Sequence, residues 1–160
     1  MPTLLALALV ISLAACAPAP PPPSVGSAGV AEGVAEGLPP GPDGLDAARA
    51  LWEEAGLDGY TMTVSRSCFC PPEYRGPFAV TVEDGETTGA LYDGRPAEVG
   101  DPPTVEALFA LLAEAYARGA ARVDVTYDPA LGYPTSLYID RDERIADEEV
   151  GYEVTDLIPR

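Results

Sequence analysis

Hydrophobic and polar positions follow two helical stripes and several strand-like alternations. Ala48, Leu51, Trp52 and Ala55 share one helical face and predict a short helix over 46–55, with Gly56 placed to stop it. Tyr60, Met62 and Val64 then alternate with Thr61, Thr63 and Ser65, the period-two signature of a strand with one buried face. Phe78, Val80 and Val82 alternate in the same way with Ala79, Thr81 and Glu83. Asp84-Gly85 follows as a type I′ hairpin signal and returns the chain through a strand over 86–92.

The pattern then begins again. Asp101-Pro102-Pro103-Thr104 opens a second helix with Thr104 as its cap. Val105, Leu108, Phe109, Leu112, Ala115 and Tyr116 form its apolar stripe, and Gly119 ends it. Three more strands are predicted around Val123, Val125 and Tyr127, around Leu137 and Ile139, and around Tyr152 and Val154. The expected fold is therefore α+β: an antiparallel sheet with two helices on one face, built from pseudo-duplicated α-β-β-β units. Trp52 is expected in the core.

The N-terminal part has a different character. Leu4 to Leu13 is apolar for only ten residues, the length of a signal-peptide core and about half the ~20 residues a spanning helix needs. Leu13-Ala14-Ala15-Cys16 resembles the lipobox of bacterial lipoproteins. That resemblance implies lipidation of Cys16, cleavage just before it, and a bacterial cell envelope location, lipid-anchored and extracytoplasmic. Ala17 in place of Asp implies the outer membrane if the host has one. Met1-Pro2-Thr3 carries no basic residue, where a signal peptide has a positive start; a start codon upstream of Met1 is the expected reason. Pro18 and Pro20 to Pro23 predict extended polyproline II, followed by a Gly-rich flexible stretch. The expected organisation is a signal peptide over 1–15, lipidated Cys16 and a tether over 16–44, and one α+β domain over 45–160. By random-coil scaling the tether holds the domain roughly 30 Å from its anchor.

Charge and composition narrow the chemistry. The net charge is −17, and all nine basic residues are arginines. Such a chain is repelled by phosphate backbones and by anionic head groups, so nucleic acid is not an expected partner. There is no histidine, which removes Ser-His and Cys-His nucleophile activation and His-containing metal sites. Acids are plentiful, but no pair can be placed together from sequence to support a carboxylate-dependent hydrolase.

Cys68-Phe69-Cys70 is the sharpest local feature. With Cys16 lipidated, these are the two remaining thiols, and export favours their oxidation. On a strand their Cα atoms would lie ~6.6 Å apart, near the upper limit for a disulfide, and Pro71-Pro72 supplies a plausible kink. A structural disulfide, reduced thiols without a special role, and a functional pair that is redox-active or binds a soft metal such as Cu(I) all stay open. The acidic run from Asp140 to Glu149 lacks the Gly and Glu that an EF-hand loop needs and is expected to be a solvated turn. Tyr127-Asp128-Pro129 through Gly132-Tyr133-Pro134 is either a turn packed on the core or a partner-binding loop, with Tyr127, Asp128 and Tyr133 as its candidate contacts.

Trp52, Tyr60, Ser67-Cys68-Phe69-Cys70-Pro71, Tyr127-Asp128, Gly132-Tyr133-Pro134, Ile139-Asp140 and Ala146-Asp147-Glu148 together resemble the bacterial domain-of-unknown-function family 6174 over about residues 46–158. Members of that family are often lipoproteins or secreted proteins, and the resemblance brings no catalytic residue. The expected function is a membrane-anchored lipoprotein with a small acidic, non-catalytic domain. It binds a protein or envelope component and needs no cofactor or metal. The alternative is thiol redox or copper handling through Cys68 and Cys70.

Overall fold

A computed structural model describes residues 37–97 and 102–160. The segment expected to be a signal peptide, Cys16 and the expected tether as far as residue 36 lie outside the described residues, as does Asp101.

Helix α1 spans Pro42–Ala55 and α2 spans Val105–Arg118. The strands are β1 (Gly59–Ser67), β2 (Phe78–Glu83), β3 (Glu86–Tyr92), β4 (Arg95–Pro96), β5 (Arg122–Tyr127), β6 (Pro134–Asp140) and β7 (Val150–Pro159). They form one seven-stranded antiparallel sheet in the order β4-β3-β2-β1-β7-β6-β5. The architecture is α+β, as the alternations imply.

Two local elements depart from expectation. The first helix begins at Pro42, four residues before the predicted start at Asp46. Proline in the first helical turn loses no hydrogen bond, because the N–H groups there have no intrahelical acceptor. The Pro/Gly content that reads as tether is thus compatible with a helix start, and Leu45 on this first stretch is buried. The short β4 was also not predicted. It follows a second Asp-Gly pair, Asp93-Gly94, with φ of 49° and 72°, the same left-handed turn chemistry as Asp84-Gly85.

The α-β-β-β order occurs twice, with the short β4 added to the first half, and the two halves meet unequally. The first contributes its first strand, β1, to the central pairing, and the second contributes its last, β7. All the buried side chains of β1 and β2 lie on one face. Tyr60, Met62 and Val64 stand opposite Val82, Val80 and Phe78. Both helices join this face in one apolar cluster, with Leu45, Ala48 and Trp52 from α1 and Val105, Leu108, Phe109 and Leu112 from α2. Trp52 meets Tyr60 and Tyr133 edge to face, with ring centroids 5.2 and 6.3 Å away. Among the described residues, no helix lies over the opposite face of the sheet.

Candidate functional site

The bare face follows from strand alternation. Each strand that buries one set of side chains against the helices turns the other set outward. From β1 these are Thr61, Thr63, Ser65 and Ser67, from β7 Gly151, Glu153 and Thr155, and from β6 Ser136, Tyr138 and Asp140. On β2 and β3, Ala79 and Thr81 stand opposite Leu91 and Gly89. The centre of the face is therefore small side chains and hydroxyls, with few charges. Leu91 (45% exposed) and Ile158 (60%) form an apolar patch at one end, beside Thr61, Thr63 and Asp156. Phe69 (80% exposed) stands at the other end. Among the described residues, none of the exposed large apolar side chains lies on either helix.

Cys68 and Cys70 lie just beyond the end of β1, not on the strand itself. They are bonded to each other across a Cα–Cα distance of 5.3 Å. Leaving the extended conformation brings them closer than strand geometry allows. The next segment folds into a single 3₁₀ turn at Pro72–Tyr74. Arg75 then closes the loop: its Nε donates to the Cys70 carbonyl at 2.8 Å, and its own carbonyl accepts from Arg66 N–H at 2.7 Å. Phe69, held between the two bonded cysteines, projects into solvent.

The loop between β5 and β6 is packed on α1. The Asp128 carboxylate accepts from the N–H groups of Ala130 (2.9 Å) and Leu131 (2.8 Å). Tyr133 is buried against Trp52. Gly132 has φ of 78°, and a side chain there would run into the Ala48 carbonyl of α1. Tyr127 is half-buried; burial and then the neighbouring Tyr116 push its phenol above the ordinary value. Of the three residues named from sequence, Tyr127 ends β5, and Asp128 and Tyr133 lie in the loop after it and are already engaged inside the domain.

The acidic turn after β6 is organised by Glu148, whose carboxylate accepts from the N–H groups of Arg141 (2.6 Å) and Asp142 (2.7 Å). Asp142 pairs with Arg144 at 2.6 Å, and that hydrogen bond holds the Asp142 carboxyl below its usual range. Asp140 behaves oppositely. Burial first, then the Glu148 and Glu149 carboxylates, raise it above the usual value, and its Oδ1 has no hydrogen-bond partner. Among the described residues no group of three or more His, Cys, Asp or Glu is arranged to hold a metal ion. No described helix is long and apolar enough to cross a membrane.

Sequence reasoning named the cysteines, the loop and the acidic turn, but it missed the bare face. The signal was present in the outward positions of β1, which are all Thr or Ser. A family model described as "Family of unknown function (DUF6174)" matches residues 44–159. No curated protein matches the chain, and no solved structure does.

Proposed function

We propose that this chain, which belongs to the family of unknown function DUF6174, is a membrane-anchored extracytoplasmic binding domain that presents the bare face of its sheet to a protein or other envelope component. The observation that carries this reading is the make-up of that face. An antiparallel sheet can leave one face in water, and that face is then polar. Here the centre is mostly Ser, Thr, Gly and Ala, with Glu153 as a charge between Ser65 and Ser136, and exposed Leu91, Ile158 and Phe69 lie at its two ends. Depletion of charge at the centre of a patch with large apolar contacts is the compositional mark of a protein interface.

The anchoring part of the proposal rests on the lipobox resemblance at Cys16. The binding part is tested by a photo-crosslinking side chain placed at Thr63 on the bare face or at Glu53 on the outside of α1, in cells that make the protein. Adducts to a specific envelope component at position 63 and none at 53 are expected. Adducts from position 53 alone would place the binding surface on the helix layer and end this reading.

A second reading, thiol exchange or copper handling at Cys68 and Cys70, is favoured by one observation: the bonded pair sits at the surface, beside exposed Phe69. Both cysteines are half-buried, and a disulfide within reach of solvent is open to attack by an external thiolate. The test is the intact mass after alkylation, with and without mild reductant. A bond that survives mild reductant removes the redox reading; reduced thiols that take up stoichiometric Cu(I) favour it.

A further inference from the structure

A trough of about 380 Å³ crosses the bare face where three strands place a large, an absent and a small side chain in one row. Tyr138 of β6 stands opposite Gly151 of β7, and Gly151 stands opposite Ser67 of β1. A Cβ at Gly151 would strike the Ser67 hydroxyl and come within 3.2 Å of the Leu137 carbonyl. The glycine is thus the floor, and the Tyr138 ring is one wall. The trough continues past Ser67 and Tyr138 to Phe69, where Asp147 and Glu149 line it. Glu153 lines the opposite end.

The charges that face this trough are mostly negative and the nearby positive ones are occupied. Arg66 lines it, but its guanidinium lies over the Tyr152 ring at 5.6 Å. Arg141 is held by Glu148 at 3.7 Å. Arg122 pairs with Asp124 at 2.6 Å and lies 5.4 Å over the Tyr138 ring. That last contact comes from the β5 side of Tyr138, because Asp124 is its partner on β5. The β7 side, over Gly151, is left to the trough. Carboxylates beside aromatic walls and a glycine floor match a cation on an apolar stem, which is the chemistry of an arginine or lysine side chain.

The rest of the face says how the cation is delivered. From Ser67 the outward Ser and Thr positions of β1 lead to Thr61, which stands opposite Ile158 beside the Leu91 patch. Six residues of extended chain cover ~20 Å at about 3.3 Å each. A peptide lying along β1 therefore reaches from trough to patch within seven residues.

We propose that the bare face binds an extended polypeptide segment of a partner, with an arginine or lysine in the Tyr138–Gly151–Ser67 trough and a large apolar residue six positions away against Leu91 and Ile158. This names the partner chemistry for the binding face proposed above and rests on that reading. The net charge of −17 adds long-range attraction for such a segment.

The experiment uses the full chain carrying Cys16→Ser and a fluorescent seven-residue peptide with arginine at one end, leucine at the other and serine and threonine between. Fluorescence anisotropy is expected to show saturable binding that weakens with salt. Glu149→Gln with Glu153→Gln is expected to weaken it about tenfold or more, as is Ile158→Ser, with Trp52 fluorescence unchanged as the check on folding. Glu53→Gln with Glu54→Gln on α1 is expected to leave affinity unchanged, and a peptide with glutamate for arginine is expected not to bind. Absence of saturable binding, or equal loss in the α1 variant, overturns the proposal. Envelope adducts at position 63 with no peptide binding would sink this inference alone; missing adducts would remove the reading beneath it.

Discussion

The indole Nε1 of Trp52 donates to Glu106 Oε1 at 2.9 Å, joining the last turn of α1 to the first turn of α2. The other carboxylate oxygen accepts from the Tyr60 hydroxyl at 3.0 Å, and that hydroxyl accepts from Val105 N–H at 2.8 Å. One acidic side chain thereby connects both helices and the central strand. Burial first, then the Glu106 carboxylate, pushes the Tyr60 phenol above its ordinary value, which favours the protonated hydroxyl that donates here.

Glu106→Ala leaves two donors without their acceptor and removes a negative charge from a helix N-terminus. A loss of about 1–3 kcal/mol is expected. Glu106→Gln, which keeps one acceptor oxygen, is expected to lose less. Urea unfolding followed by fluorescence of Trp52, the single tryptophan, measures both.

Gly132→Ala is expected to be more destabilising than Gly119→Ala. Both glycines have positive φ, 78° and 67°, but only at Gly132 does an added Cβ meet neighbouring backbone, the Ala48 carbonyl. Strain alone costs about 1 kcal/mol. The excess at Gly132 reports the close approach of the β5–β6 loop to α1, and a pair of thermal melts reads it. Equal losses would show that the loop relaxes away from the helix.

Asp140→Asn is expected to raise the melting temperature at neutral pH. The raised carboxyl of Asp140 means that the fold favours its protonated form. Its ionisation therefore costs stability once the pH rises through the folded-state value, and the cost disappears below the unfolded value of about 3.9. The difference between variant and parent is expected to shrink as pH falls through the carboxylate range. A difference that stays constant with pH would assign the effect to something other than charge.

Reduction of the bond between Cys68 and Cys70 is expected to leave the fold intact. Closing so short a loop contributes only about 1.6 kcal/mol by loop entropy, and the pair lies outside the core cluster. Denaturant unfolding of the Cys68→Ser, Cys70→Ser double variant checks this; loss of cooperative unfolding would make the bond an essential staple.

Cys16→Ser is expected to move the protein from the membrane to the soluble fraction. Fractionation by ultracentrifugation, with immunoblotting of both fractions, reads the outcome. A variant that stays with the membrane would remove the anchor.

Most elements were legible because the signals that make them are local. The stripe Leu108, Phe109, Leu112 and Ala115 and the alternation Tyr60, Met62 and Val64 are periodicities within one segment, and the structure buries those same residues. Local signals failed where two meanings share one composition. Pro42 and Gly44 read as tether and are the first turn of α1. Asp93-Gly94 carries the same turn chemistry as Asp84-Gly85, yet the strand it leads to has only two residues and no periodicity to announce it.

The candidate site was not legible as a site. Its trough is a row of Tyr138, Gly151 and Ser67, which come from three strands far apart in the chain. Alternation says that Thr61, Thr63 and Ser65 share a face, but not which strands lie beside it or whether a helix covers it. Here the amino-acid order dictates the helices, the one-sided burial of β1 and β2 and the strongly acidic character, because each depends on neighbours within a few residues. The antiparallel pairing of β1 with β7 turns those elements into a site. Sheet order is set by non-local contacts that bury both helices on one face, and the row across the other face is a consequence of that choice.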